Sequence, residues 1–466
     1  MDQTYERLIT ASNPHWKGIR PDAVSHPREI EARLIDLLDE RQILCLLGPR
    51  RTGKTTLLKR AIRHLLEKGV PPRQVFYFSF DEIMSMDHRL FEQVIDHYFD
   101  NISEDPEGKA YVLLDEIHNI DFWQAILKRH YDQLHPKAKF IVTGSSSLWI
   151  KRRSRESLAG RSFDLTVRPL TFREYLEFRG LKLPVAPRPS RYSNIEGYWK
   201  GLAPHIDDIQ RAFNRYLLFG GFPETTAEGQ TLERNREYLW TYVVEKTILR
   251  DLTQYFPVEN PRAIVEILRV LSWQSSRLFS MQNLAETLNM KARTVSKYLS
   301  YLEIGYLVGF SYNLTKSRVK QVRSSKKAYL TDTGLIVALA NLGEDVFSHP
   351  EEIGGLVEST VWRHFAGITD CYFWNDEHKN EVDLVCRFPR SLLPIEVKYV
   401  DRLTNRDFRA LRLFQKKHGS RQHIIATRSA LEDHGDVWAI PVPLLLLLDW
   451  SGWSMGGRGK KTQMSI

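Results

Sequence analysis

The chain reads as a multidomain α/β protein on three observations. A buried apolar strand, Ile43–Leu47, runs straight into a glycine-bearing loop and a helix. Short apolar strands then alternate with helical stretches as far as residue 167. A second group of strands, between residues 371 and 426, sets acidic residues among apolar ones. Alternating strands and helices imply a mostly parallel sheet covered on both faces. At 466 residues the chain exceeds the size at which one hydrophobic core stops growing, and the pattern divides it at 1–180, 181–260, 261–330 and 331–466.

Each segment has its own signal. After Ile43–Leu47, residues 54–68 repeat apolar side chains at helical spacing and stop near Gly69, Pro71 and Pro72. Further strands are Val75–Ser79, Tyr111–Leu114, Phe140–Thr143 and Asp164–Val167. Thr171–Phe178 reads as a helix, Pro184, Pro187 and Pro189 interrupt it, and residues 205–257 resume as helices broken at Gly220, Gly221 and Pro223, a helical lid or connector. From Pro261 to Tyr312 the order is helix, helix, turn, helix, with Ser280 placed to cap and Val295, Leu299 and Leu302 facing inward. Strands at 306–312 and 326–330 complete the pattern of a winged helix-turn-helix. From Asp332 onward the pattern gives a helix bearing Glu358, strands at 371–374, 381–388 and 393–399, a helix at 404–418 and a strand at 422–426. No internal repeat appears, and the tail after Trp453 reads as unstructured.

Charge is unevenly spread. Residues 261–330 hold twelve Lys/Arg against three Glu, which equals the net +9 of the whole chain. Such an excess favours a polyanionic partner for that segment. Lys291, Arg293, Thr294 and Lys297 lie off the inward stripe of the last helix, and Lys316, Arg318, Lys320, Arg323, Lys326 and Lys327 decorate the wing and its approach. They are the expected DNA-binding residues, through phosphates, with the helix entering a major groove. Cys45, Cys371 and Cys386 are odd in number and set in strand-like runs, so reduced core residues are expected rather than disulfides or a zinc site. The first residues, Met1–Glu6, carry no export pattern, and the apolar run Pro443–Leu448 is too short to span a bilayer. The expectation is a cytoplasmic protein without a membrane partner.

Phosphate oxygens need many donors at close range. The loop Gly48, Pro49, Arg50, Arg51, Thr52, Gly53, Lys54, Thr55, Thr56 supplies backbone N–H groups and a helix N-terminus, and Lys54 adds a mobile charge. Thr55 is expected to hold Mg²⁺. Asp115, at the end of an apolar strand, binds that ion through water, and Glu116 polarises the attacking water. No guanine-specific Asn-Lys-x-Asp run is present, so ATP is the expected nucleotide. The hydroxyl cluster Ser145–Ser147 ends another strand, and Ser145 is the candidate contact to the terminal phosphate. Arg161 is the candidate for a charge reaching into a neighbouring subunit, with Arg152, Arg153 and Arg155 as competitors.

Several runs carry a resemblance: Gly48–Thr56, Leu113–Ile117, Thr143–Ser146, Ser157–Arg161, Pro169–Tyr175, Gly220–Glu224, Tyr329–Gly334 and Asn380–Asp383. With them the chain resembles the bacterial and archaeal AAA+ ATPases that end in a domain of unknown function. The resemblance covers most of the chain. It implies an AAA+ ATPase core, a winged helix, a restriction-endonuclease-like C-terminal fold and assembly into a ring such as a hexamer.

The second acidic group has its own chemistry. Side chains two apart in a strand share a face, so Glu381 and Asp383 point one way, and Glu396 and Lys398 share a face of the next strand. Asp, twelve residues, then Glu-x-Lys resembles the PD-(D/E)XK nuclease signature, without the proline that names it; Val382 precedes the aspartate. In that signature Asp383 and Glu396 hold Mg²⁺ or Mn²⁺, Lys398 positions a water, and Glu358 is a further, helix-borne ligand. The sequence thus points to ATP-driven processing and cleavage of DNA, branched or forked forms included, by a homo-oligomer. Two other readings use the same residues: a DNA motor that does not cut, and a nucleotide-controlled signalling or defence switch with an inactive nuclease fold.

Overall fold

The computed structural model describes residues 3–19, 26–81, 88–105, 108–144, 158, 160–315 and 325–453. The chain forms two compact units. The first comprises Met1–Leu170, Thr241–Glu259 and Ile304–Tyr306; the second comprises Thr171–Trp240, Asn260–Glu303 and Leu307–Ile466.

In the first unit, five strands, β1 (Ile43–Leu47), β2 (Val75–Ser79), β3 (Ala110–Asp115), β4 (Ala138–Gly144) and β5 (Ser162–Thr166), form one sheet in the order β2-β3-β4-β1-β5. All neighbours run parallel. The central strand β1 is buried at every position, and its side chains alternate between two cores. Cys45 and Leu47 join Phe76, Phe78, Val112 and Trp123 on one side; Leu44 and Leu46 join Leu58, Leu113 and Ile141 on the other. A five-residue apolar run with no polar face is what a strand covered on both sides requires. Because the strands are parallel, the C-terminal ends of β1, β3 and β4 all lie at one edge, where open α/β sheets place their ligands.

The second unit begins with the helix Phe172–Phe178, closed by a capping box: Thr171 Oγ1 accepts from Glu174 N at 3.2 Å and Glu174 Oε2 accepts from Thr171 N at 2.8 Å. After helices Tyr192–Gly201, Ile206–Phe219 and Leu232–Leu239 come the helix Pro261–Trp273, β6 (Leu278–Phe279), helices Met281–Thr287 and Ala292–Ile304, β7 (Val308–Tyr312) and β8 (Lys326–Leu330). The three strands form an antiparallel sheet with β8 in the middle. Ser280 caps as the sequence predicts, accepting from Asn283 N at 3.1 Å.

The helices Thr333–Leu339 and Pro350–Ala366 lead into a six-stranded mixed sheet, β13-β14-β12-β11-β10-β9, built from β9 (Asp370–Asn375), β10 (Glu381–Phe388), β11 (Ser391–Lys398), β12 (His423–Thr427), β13 (Glu432–Asp433) and β14 (Val437–Pro441). The last two strands and the buried apolar run after them extend the sheet beyond the strand expected at 422–426. Cys371 and Cys386 are free but lie opposite each other on β9 and β10, with sulfurs 3.7 Å apart. Two sequence runs far apart meet through Asp332, whose carboxylate accepts from Gly221 N at 2.8 Å and Gly334 N at 2.9 Å and pairs with Arg363. Gly220 must be glycine here: it has φ +79°, and a Cβ would stand 1.7 Å from Asp332 Oδ1.

Candidate active sites

The loop after β1 is shaped by backbone that few side chains tolerate. Gly48 has φ +144°, and a Cβ there would lie 2.1 Å from Val167 O; Arg51 and Gly53 also have positive φ. Arg28 braces the loop from outside, donating to Thr52 O at 2.9 Å and Arg168 O at 2.8 Å. Lys54 opens the helix Lys54–Glu67 and folds back over the loop, its Nζ donating to Pro49 O at 2.7 Å and Gly48 O at 3.2 Å. Burial lowers its pKa, while Glu116 and Asp115 pull it up. The lysine bonds only loop carbonyls through these contacts, so a phosphate can take it over without first breaking an ion pair.

Asp115, 2% exposed, is held by hydroxyls. Its Oδ2 accepts from Thr55 Oγ1 at 2.6 Å and Tyr77 OH at 3.1 Å, and its Oδ1 accepts from Thr143 Oγ1. Burial and Glu116 raise its pKa, and the three hydroxyls lower it. Thr143 Oγ1 in turn accepts from the backbone N–H of Glu116 at 2.9 Å, so one hydroxyl ties the strand aspartate to the glutamate that follows it. Glu116 sits in the left-handed region, φ 51° and ψ 39°, and its carboxylate lies 3.1 Å from His118 Nδ1. Thr55 and Asp115 form an oxygen-only, negatively charged pair that fits Mg²⁺; bound with a nucleotide, that ion neutralises phosphate charge. The chain's own loop N–H groups and Lys54 would cradle the phosphates, while Thr143 fixes the backbone of Glu116 and His118 flanks its carboxylate.

The side chains of Arg50 and Arg51 have partners within the same unit. Arg50 pairs with Asp251, Nε to Oδ2 at 2.8 Å, and Arg51 stacks over Tyr242 at 4.8 Å. Both partners come from the π-helical stretch Trp240–Leu252, and Tyr255 just beyond it donates to His118 O at 2.9 Å. The segment 241–259 thus grips both the phosphate loop and the turn after Glu116. Arg161 lies at the opposite end of the sheet from the loop, since its carbonyl accepts from Ile43 N, at the start of β1. Its guanidinium pairs with Asp132 at 2.8 Å on the surface. It does not reach the site of its own chain. Ser145, Arg152, Arg153 and Arg155 lie outside the described residues, as do Lys316, Arg318, Lys320 and Arg323.

The second site lies within the second unit. Antiparallel pairing of Leu384 with Ile395 sets Asp383 across from Glu396 one step further on. Val397 N donates to Asp383 Oδ2 at 2.9 Å, and Lys398 Nζ lies 2.7 Å from Glu396 Oε1. Glu358, from the helix Pro350–Ala366, joins them: Glu358, Asp383, Val397 and Lys398 line one cavity of ≈ 380 Å³, with Trp273 and Arg277 also on its wall. The structure thus brings Asp383, Lys398 and Glu358 to one cavity, with Glu396 bonded to Lys398 but outside the lining, and as they stand no three His, Cys, Asp or Glu among the described residues are set to hold a metal ion. Glu396 is 5% exposed and its Oε2 is buried without a hydrogen-bond partner. Burial and the like charge of Asp383 push its pKa up to about 8 against the pull of Lys398, and burial pushes Glu358 up to about 7.

The sequence misplaced one residue of this site. Lys327 is not surface charge: it is 2% exposed and its ammonium lies 2.6 Å from Glu381, 2.9 Å from Glu358 and 3.4 Å from Asp383. Tyr329, two residues on, donates to Glu358 at 2.8 Å. Burial lowers the Lys327 pKa, but Tyr329, Glu358, Asp383 and Glu381 outweigh it and hold the group charged. The one available signal was strand period, which puts Lys327 and Tyr329 on the same face of β8. Lys326 lies over Phe310 at 4.3 Å. Lys291 and Arg293 are exposed, Thr294 and Lys297 half-buried, along the outer side of the helix Ala292–Ile304, where Val295, Tyr298, Leu299 and Leu302 are buried.

Comparison with known protein families matches residues 40–176 to the AAA domain. Residues 40–176 are thus similar to AAA domains. That span contains the whole phosphate loop, Asp115, Glu116 and Thr143. Residues 210–346 match one domain of unknown function, DUF8612, and residues 353–445 another, DUF4143, which contains Glu358, Asp383, Glu396 and Lys398. Relatives include the uncharacterized protein MJ1637 of Methanocaldococcus jannaschii, 29% identical over 62% of this chain and 60% of that protein. An uncharacterized protein of Haemophilus influenzae is 22% identical over 65% of this chain and 70% of its own. The chain thus spans about three fifths of the first relative's length. Among solved structures, PCH-2 of C. elegans aligns at 17% identity over 64% of this chain and 68% of that one, TM-score 0.25. The Hsp104:casein complex of S. cerevisiae aligns at 16% identity over 56% and 48%, TM-score 0.27. Superpositions this loose carry no argument about this chain. Among the described residues no helix is long and apolar enough to cross a membrane.

Proposed function

We propose that the chain is an ATP-driven DNA-processing enzyme, in which ATP hydrolysis at Lys54, Thr55, Asp115 and Glu116 powers movement or remodelling of DNA and the site at Asp383, Glu396, Lys398 and Glu358 cuts it with a divalent metal. The observation that supports the cutting reading is that Asp383, Lys398 and Glu358 line one cavity, while Glu396, bonded to Lys398, keeps its Oε2 buried and unpartnered. A buried carboxylate oxygen without a donor costs roughly 1–3 kcal/mol or more, and a bound cation removes that cost. Lys291, Arg293, Thr294 and Lys297, on a helix set in the winged-helix order of elements, supply the phosphate contacts, together with Lys316, Arg318, Lys320 and Arg323. A homo-oligomeric ring fits the reading, because Arg161 can serve an ATP site only in a neighbouring subunit.

The test incubates wild type and Asp383→Ala with single-stranded, duplex, forked and four-way DNA in Mg²⁺ or Mn²⁺, with and without ATP. Asp383→Ala should lose cutting and keep ATP turnover; equal cutting by both proteins removes the nuclease reading. A second reading, a DNA motor that does not cut, is favoured by one observation: Lys327 already compensates three of the acids. DNA-stimulated ATP turnover without cutting in any metal would select it.

A further inference from the structure

Three features of the second site bear on how it takes a metal. Its acids come from three elements: Glu358 from the helix Pro350–Ala366, Glu381 and Asp383 from β10, and Glu396 from β11. One ammonium, Lys327 from β8, touches three of those four acids, at 2.6 to 3.4 Å. The fourth acid, Glu396, has one oxygen 2.7 Å from Lys398 and the other buried with no partner. The arrangement is that of a cation site with a cation already in it, the cation being a side chain of the same chain.

We propose that Lys327 is the resident cation of this carboxylate site and that a divalent metal enters only by displacing it. The geometry requires it. An ammonium within hydrogen-bond reach of Glu358, Glu381 and Asp383 stands where an ion shared by Glu358 and Asp383 has to stand, and two cations do not share that volume without strong repulsion. Lys398 does not take that place, because its ammonium is bonded to Glu396 Oε1. Lys327 has an anchored base and a mobile tip. Its backbone belongs to the central strand of the β6-β8-β7 sheet, paired with Ser311 on one side and Leu278 on the other. Its flexible four-carbon stem lets the ammonium alone withdraw. Displacement trades Lys327 for a divalent ion that reaches the unpartnered Glu396 oxygen, a group the ammonium does not contact. The metal preference of the site is therefore set by a residue of β8, outside the Asp-x₁₂-Glu-x-Lys pattern. The inference rests on the reading of the cluster as a metal site.

Mn²⁺ binding to the nucleotide-free full chain, measured from the EPR signal of free Mn²⁺, tests it on wild type, Lys327→Met and Lys327→Met/Asp383→Asn. The Thr55–Asp115 site is the same in all three and drops out of the comparison. Lys327→Met should gain one site at least about tenfold tighter than wild type shows, and Asp383→Asn should remove it. Mn²⁺ should also raise the melting temperature of Lys327→Met by several degrees and leave wild type nearly unchanged. If wild type already binds Mn²⁺ through Asp383 as tightly as Lys327→Met does, or if Lys327→Met gains no site, the inference is overturned. Should Lys327→Met fail to fold, Lys327→Met/Glu381→Gln removes one acid with the ammonium and is read the same way. Tight Mn²⁺ binding by Lys327→Met without any DNA cutting sinks the nuclease reading and leaves this inference standing. Cutting by a wild type that binds Mn²⁺ tightly at Asp383 does the reverse.

Discussion

The two acidic sites use the same residue types and differ in what holds their carboxylates. In the AAA domain, Asp115 is held by three hydroxyls, Thr55, Tyr77 and Thr143, while Lys54 is bonded to loop carbonyls. In the C-terminal site, Glu358, Glu381 and Asp383 are bonded to Lys327, and Glu396 to Lys398. Hydroxyls satisfy a carboxylate without cancelling its charge, so the first site keeps its attraction for Mg²⁺ and its lysine stays available to phosphate. Ammonium groups satisfy and cancel, so two of the second site's four carboxylate charges are offset before any metal arrives. Sites with the same composition can thus differ in readiness, according to whether acids and lysines face each other.

The sharpest attempt to break this contrast is at a charge pair that does stand beside the phosphate loop. Asp251 is 3% exposed, and Asp251→Ala leaves the Arg50 guanidinium beside the phosphate loop without its carboxylate, a loss expected to cost about 3–5 kcal/mol of stability. Thermal unfolding of the full chain measures it; an unchanged melting temperature would mean that the pair is solvated and that segment 241–259 does not brace the loop. Lys54→Ala is expected to slow ATP turnover by about 10²–10³-fold, as removal of a positioned charge from a transition state does. Phosphate release at saturating ATP measures it, and an undiminished rate would show that the loop is not catalytic. Thr143→Val removes the hydroxyl that joins Asp115 to Glu116 N and should slow turnover by about 10–100-fold, the usual cost of losing a group that orients a metal-bound residue, with ATP affinity little changed. Equal losses in affinity and rate would instead assign Thr143 to nucleotide binding.

Legibility in the sequence follows distance along the chain. The phosphate loop was legible because its constraints are local: a buried strand, positive-φ positions and a helix start are contiguous. Asp115–Glu116 and the Asp383, Glu396, Lys398 set were legible because strand period fixes which side chains share a face. Residues set by long-range packing were not. Arg50 belongs to the loop motif, yet its partner Asp251 lies two hundred positions away, and no spacing rule connects them. Lys327 sat in a run of basic residues, where a charge excess favours a surface turned to a polyanionic partner, and only tertiary contact with β10 and the helix Pro350–Ala366 turns it inward. Thr143 was visible as a strand end, but nothing in a run of hydroxyls tells that this one meets Asp115 on the neighbouring strand. The Cys371 and Cys386 contact was missed for a simpler reason: fifteen positions looked distant, although a hairpin brings its two strands side by side.

The smallest expected effect separates the two units by pH. His364, on the helix that carries Glu358, is half-buried with its Nε2 sealed from solvent, and burial together with Arg363 pushes its pKa down to about 4 from 6.5. The unfolded chain takes up that proton as pH falls through 6.5, whereas the folded chain resists until about 4, so the neutral imidazole costs nothing above pH 6.5 and stability drains away below it. Between pH 7 and 5.5 the loss from this group is about 1 kcal/mol. Glu358 and Glu396, with raised pKa values, act in the opposite direction, favouring the folded state as they take up protons near pH 7–8, so wild type alone gives only the sum. Comparing wild type with His364→Leu by urea unfolding at pH 7 and 5.5 isolates the imidazole: the variant should lose about 1 kcal/mol less than wild type over that interval. Parallel losses would place His364 in contact with water, and the acid sensitivity of the second unit would then have to come from another buried base, of which His423 is the first to examine.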